Sequence, residues 1–297
     1  MIYTVTISPA IDYIVHLDSM VMGATNRSRQ EEYYFGGKGI NVSVMLQHLG
    51  VPSVALGFVA GFTGEALEKG LHDQNIATDF VHLGTGITRI NVKIKSTQET
   101  EINGQGAIPE EKDFLLLIDK LTKMRKGDIL VISGSIPNGL PADTYDRLLS
   151  TAEMQGALPV VDTNGELLLS TLKHRPFLIK PNRDELIDLF GEITPLEGAE
   201  RLHAMGARNV IISLGREGAM LLAEDGRIYR CGVPSGSAIN TVGSGDSMVA
   251  GFIAGYSTTQ NYQHALNLGG AAGSATAFTP GLADRDSIEA CLAELEQ

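Results

Sequence analysis

Short apolar segments alternate with helix-patterned ones along most of the chain, and no other feature constrains the fold as much. Residues 2–7, 54–59, 128–133, 158–162, 177–180 and 210–213 read as buried strands. Residues 39–49, 62–74, 142–155, 183–190 and 195–205 read as helices, with Gly50 stopping the first. Residues 219–222 and 227–229 form an expected hairpin. Residues 246–256 and 262–277 are apolar, Gly/Ala-rich helices expected to be buried. Strands alternating with helices imply a mostly parallel sheet covered on both faces. Two segments break the rhythm. Residues 15–35 and 88–103 are strand-like but polar, as in Arg89-Ile90-Asn91-Val92-Lys93-Ile94-Lys95. They predict one discontinuous β-sheet lid, at about 13–35 and 88–104, on a single domain spanning 1–297.

Composition narrows the partners. With 43% hydrophobic and 20% charged residues the chain is globular, and no apolar run is long enough for a bilayer. A formal net charge of −12 disfavours nucleic acid. It does not disfavour a small anion, which needs only a few local cations and backbone N–H groups. The N-terminal strand has no basic flank and does not read as a signal peptide. The two cysteines, Cys231 and Cys291, lie in no motif. That suits a reducing cytoplasm and argues against a disulfide framework or zinc site.

Four motifs sit where an open α/β sheet binds ligands, beyond the carboxyl ends of its strands. Gly243, Ser244, Gly245 and Asp246 open an apolar helix. Small residues expose successive N–H groups there, an anion hole for charge that builds during phosphoryl transfer, and the adjacent carboxylate could accept a hydroxyl proton. The plain alternative is a glycine turn with Asp246 as cap. Gly36-Gly37-Lys38-Gly39-Ile40-Asn41 opens another helix. It is neither a Walker loop nor a dinucleotide fingerprint, which disfavours an oxidoreductase. Asn182 and Glu185, at i and i+3, suit magnesium held largely through water, or else a helix cap. Ser213 to Gly218 could wrap nucleotide phosphates or form a plain turn.

Together, and in this order, these residues resemble the ribokinase-like (PfkB) sugar kinases over essentially the whole chain. The resemblance implies an α/β fold, a three-layer α/β/α sandwich with a small lid. It implies Asp246 as base, with Gly243, Ser244 and Gly245 forming the anion hole. ATP would lie near Lys180, Ser213, Gly215, Gly218 and Asn267, with Mg2+ at Asn182 and Glu185. Asp12, Gly37 and Asn41 would bind the sugar. Lys38, which stands where kinases of uncharged sugars carry a small or apolar residue, points with Arg89, Lys93 and Arg27 to an acceptor already phosphorylated. The branch resembled implies fructose 1-phosphate, attacked through its 6-hydroxyl; tagatose 6-phosphate is the rival acceptor. A non-catalytic sugar-phosphate sensor would need neither Asp246 nor the Asn182/Glu185 pair. Two positions depart from the family pattern. Ser8 stands in place of Asn, and Asn240 replaces an Asp in a region that touches a monovalent cation such as K+ in relatives. Pairing through the lid, as in some relatives, would give a homodimer.

Overall fold

A computed structural model of the chain describes residues 1–137 and 139–297. Strand β1 (Ile2–Thr6) leads into β2 (Ala10–His16) and β3 (Gln30–Gly36), then helix α1 (Lys38–His48), β4 (Ser53–Ala60) and α2 (Gly61–Asp73). Two short strands follow, β5 (Ala77–Thr78) and β6 (Val81–Leu83), then β7 (Arg89–Lys95) and β8 (Thr100–Asn103). The middle of the chain runs α3 (Glu111–Leu121), β9 (Ile129–Ser133), α4 (Thr144–Gln155), β10 (Leu158–Asp162), α5 (Gly165–Thr171), β11 (Leu178–Ile179), α6 (Arg183–Phe190) and α7 (Pro195–Ala204). It ends with β12 (Asn209–Ser213), the hairpin β13 (Ala219–Leu222) and β14 (Ile228–Cys231), then α8 (Ser244–Thr259), α9 (Tyr262–Ala277) and α10 (Arg285–Leu295).

The main sheet has the order β14-β13-β12-β11-β10-β9-β1-β4-β5, with β6 paired to β4. Pairing is parallel from β12 through β5, and antiparallel only at β13 and β14. Successive strand residues face opposite sides, so each central strand must be apolar on both. Leu130 and Ile132 of β9 pack into a core with α3, α4, α5, α6 and α7, whereas Ile129 and Val131 pack against α1, α8, α9 and α10. This is the three-layer α/β/α sandwich.

Helices α8 and α9 approach closely enough that a methyl on Gly251 would lie 2.6 Å from Leu268 O. The Ser244 hydroxyl also donates to Gly273 O. These contacts fix the first turn of α8, where Asp246 sits.

The second sheet has the order β3-β2-β7-β8. It begins three residues earlier than the lid expected at residue 13, so Asp12 belongs to the lid itself. Pro9 hides this start, because proline breaks a strand pattern and only pairing with Arg89 and Gly36 makes Ala10 a strand residue.

Candidate active site

The site is built at the carboxyl ends of β1, β10 and β11, from helix starts. Gly243 adopts φ +81°, which spares the N-cap of α8 any steric penalty. Asp246, three residues on, is 6% exposed and does not cap its helix. Its Oδ2 instead accepts from Asn41 Nδ2 at 2.8 Å, joining the second turn of α1 to the first turn of α8. Burial first, then the nearby charge of Asp162, push its carboxyl up to about 7. The Asn41 hydrogen bond, Lys38 and Lys180 act in the opposite direction.

Asp162, at the end of β10, is the site residue that the motifs missed. It is 6% exposed and lies between two amines: Lys38 Nζ is 3.5 Å from Oδ2, and Lys180 Nζ is 3.5 Å from Oδ1. Burial works against its charge, but Lys180 and Lys38 hold its carboxyl below the usual range. Lys38 also loses solvation, yet Asp162 and Asp246 more than offset this and hold its amine above its ordinary value. The available signal was an acid ending an otherwise apolar strand, on the edge where such sheets bind ligands.

Lys180 reaches the mouth of α8: a methyl on Gly245 would lie 3.1 Å from its Nζ. Glycine there leaves room for the amine beside the backbone N–H groups. A cleft of about 710 Å³ opens from this point, lined by Lys180, Asn182, Ser213, Gly215, Gly218 and Gly245, among others. Asn267 does not line it; its Oδ1 accepts from Gln263 Nε2, and its amide lies 3.5 Å from Leu295 O.

Asn182 and Glu185 form a reciprocal capping box on α6. Glu185 N donates to Asn182 Oδ1 and Asn182 N to Glu185 Oε2, both at 2.8 Å. Among the described residues the cap leaves Glu185 Oε1 without a hydrogen-bond partner. Among the described residues no cluster of three or more His, Cys, Asp or Glu could cage a metal. The pair therefore fits magnesium bound mainly through water and phosphate oxygens, not a closed protein cage.

On the sugar side, Gly37 and Gly39 are explained by packing. A methyl on either would lie 2.5 Å from the Thr6 side chain, so glycine lets α1 dock on β1. Gly36 makes room for Asp12, whose Oδ2 would lie 2.5 Å from a methyl there. The expected cluster of four cations is dispersed. Lys38 faces Asp162, Lys93 Nζ lies 3.9 Å from Asp12 Oδ1, and Arg27 is exposed on the loop between β2 and β3. Local sequence could not show that two of the cations are directed at carboxylates distant in the chain, one buried and one half-buried. Arg89 keeps a buried Nε without a partner among the described residues.

A buried carboxylate at a helix N-terminus, beside a lysine and a glycine-lined cleft, defines a phosphotransferase that acts on small molecules. The chain belongs to the pfkB family of carbohydrate kinases, whose model matches residues 3–289. It is 44% identical to 1-phosphofructokinase of Bacillus subtilis, over 100% of this chain and 99% of that one. It is 37% identical to D-tagatose-1-phosphate kinase of Bacillus licheniformis, with 100% and 99% covered. Phosphofructokinase-2 from Escherichia coli, solved in complex with potassium, superposes with a TM-score of 0.92 at 30% identity, covering 100% of this chain and 99% of the other.

Proposed function

We propose that this chain transfers the γ-phosphoryl group of ATP to the 6-hydroxyl of fructose 1-phosphate, giving fructose 1,6-bisphosphate and ADP. The observation that carries the chemistry is the buried Asp246 carboxylate, held by Asn41 and facing Lys180 across Gly245. Asp246 accepts the hydroxyl proton as the oxygen attacks the γ-phosphorus in line, and ADP leaves with the bridging oxygen. Gly243, Ser244 and Gly245 offer N–H groups to the transferring phosphoryl, with Lys180 beside them. Ser244 acts through its backbone, since its hydroxyl is committed to Gly273 O. Bound Mg2+ would neutralise phosphate charge, with Asn182 and Glu185 orienting its waters. The nucleotide lies in the cleft, against Ser213, Gly215 and Gly218.

The acceptor is bounded by Asp12, Asn41 and Gly37, with Arg89, whose Nε has no partner among the described residues, taking the existing phosphate; Lys93 supports Asp12. Residues 10–36 and 89–103 serve as the lid of one kinase unit. Fructose 1-phosphate rests on the resemblance to 1-phosphofructokinase. The relative of Bacillus licheniformis favours tagatose 1-phosphate as the second reading, in preference to the 6-phosphate weighed from sequence.

The test is kcat/KM with Mg-ATP on fructose 1-phosphate, tagatose 1-phosphate, tagatose 6-phosphate, fructose 6-phosphate and fructose. Fructose 1-phosphate should exceed every other; a higher value for another overturns this assignment.

Potassium has weaker support here than in the structural relative. Asn240 offers no charge, its amide donates to Pro280 O at 2.7 Å, and its Oδ1 accepts from Val242 N. A cytoplasmic setting accords with two free, buried cysteines and with no described helix being long and apolar enough to cross a membrane.

A further inference from the structure

We propose that Asn91 is a specificity-determining residue that reads a ring hydroxyl of the acceptor, one strand repeat along β7 from the arginine that takes its phosphate. The inference rests on the sugar-phosphate reading above and assigns a residue that no motif contains. Asn91 is 8% exposed, and its Oδ1 is buried with no partner among the described residues. Leaving a buried acceptor unpaired is costly, so such an atom calls for a donor. The amide orientation is fixed. Nδ2 donates to Asp12 Oδ1 at 2.9 Å, and a flipped amide would set oxygen against a carboxylate. Asn91 therefore offers a pure acceptor.

Two residues earlier, Arg89 Nε is likewise buried and unpaired. Residues i and i+2 of a strand share a face. The two unpaired atoms thus belong to one side of the lid, a donor and an acceptor based roughly 7 Å apart along the strand. Their cross-strand partners identify that side. Arg89 pairs with Ala10, and Asn91 with Asp12, which in turn pairs with Tyr34. Tyr34 reaches Gly281, where a methyl would lie 3.9 Å from its ring. The next residue, Leu282, abuts Gly243 at the start of α8. This face of the lid therefore looks toward Asp246. A ligand filling both vacant pairings must carry an acceptor for Arg89 and a hydroxyl for Asn91, as a sugar monophosphate does. Lys93, next along the same face, is drawn to Asp12 and so helps to fix the carboxylate that Asn91 also holds.

Four acceptors decide the matter: fructose 1-phosphate, its 3-deoxy and 4-deoxy derivatives, and tagatose 1-phosphate. Asn91→Leu removes the acceptor at similar volume; Asn91→Ser shortens it and guards against a folding defect in the first variant. In both, kcat/KM for fructose 1-phosphate should fall roughly 10- to 100-fold. For the one deoxy derivative that lacks the hydroxyl read by Asn91, it should stay within about twofold of wild type. A loss of equal size on all four acceptors makes Asn91 a support for Asp12 only and overturns the proposal. A wild type inactive on all four overturns the sugar 1-phosphate reading on which the proposal rests instead, so the two failures are distinguishable.

Discussion

At the scale of single residues, the chemistry depends on one carboxylate kept both buried and usable. Asp246 acts only when ionised, and its carboxyl is pushed up to about 7 by burial and Asp162. Activity should therefore fall below about pH 7, well above where an ordinary carboxylate would lose its charge. Lys38 favours the ionised form. Removing that cation in Lys38→Ala should move the acid limb of kcat/KM to higher pH, whereas a lysine serving only the acceptor phosphate would leave the limb in place. Asp246→Asn should abolish the limb and lower kcat by roughly a hundredfold or more, with ATP binding retained. Asp246 was legible because Gly243 and Gly245 precede it at the start of an apolar helix. Asp162 was not, since its meaning lies in two lysines that reach it from residues 38 and 180.

Elements carry the next level, where one group often does two jobs. The Asn182/Glu185 capping box could have been a cap and nothing more, and the hydrogen bonds of the cap are present. Asn182 lines the cleft, and the Glu185 charge, after those of Asp162 and Asp246, also helps to hold the Lys38 amine up, which supports a second role. Glu185→Gln separates the two, because glutamine preserves the box while removing the charge. Stability in urea should change by less than about 0.5 kcal/mol. The Mg2+ concentration for half-maximal rate should rise roughly tenfold or more. An unchanged Mg2+ requirement would leave the pair as a cap alone. Most elements were legible from periodicity, and α6 has the bounds read for it. Helix α3 was not. It buries Phe114, Leu117 and Leu121, but exposed Leu115 and Leu116 merge these into one apolar run that conceals the 3.6-residue period. Helix α10 buries only Ile288 and Cys291, too few to mark a face.

For the whole molecule, the two faces of the lid differ in kind. One holds Asp12, Arg89, Asn91 and Lys93, turned toward α8. Alternation then places Tyr13, Val15, Tyr33, Ile90, Val92 and Ile102 on the other. Helix α2 covers part of that face, since a methyl on Gly70 would collide with the Phe35 ring. Tyr33 on β3 and Ile102 on β8 remain 63% and 57% exposed at opposite edges. An apolar face on a four-stranded sheet is costly to leave in water, and a second copy of the same lid offers a self-complementary cover. We therefore expect a homodimer closed through the lids at micromolar concentration. Ile102→Asp places a charge in that face and should shift sedimentation from dimer to monomer while leaving the melting transition of the main sheet in place. If the variant sediments with the wild type, the lids do not form the interface. If monomers also show a raised KM for the sugar phosphate and an unchanged KM for ATP, pairing has a further function. It would steady the strands that carry Asp12, Arg89 and Asn91, and the polar face would depend on what covers the apolar one.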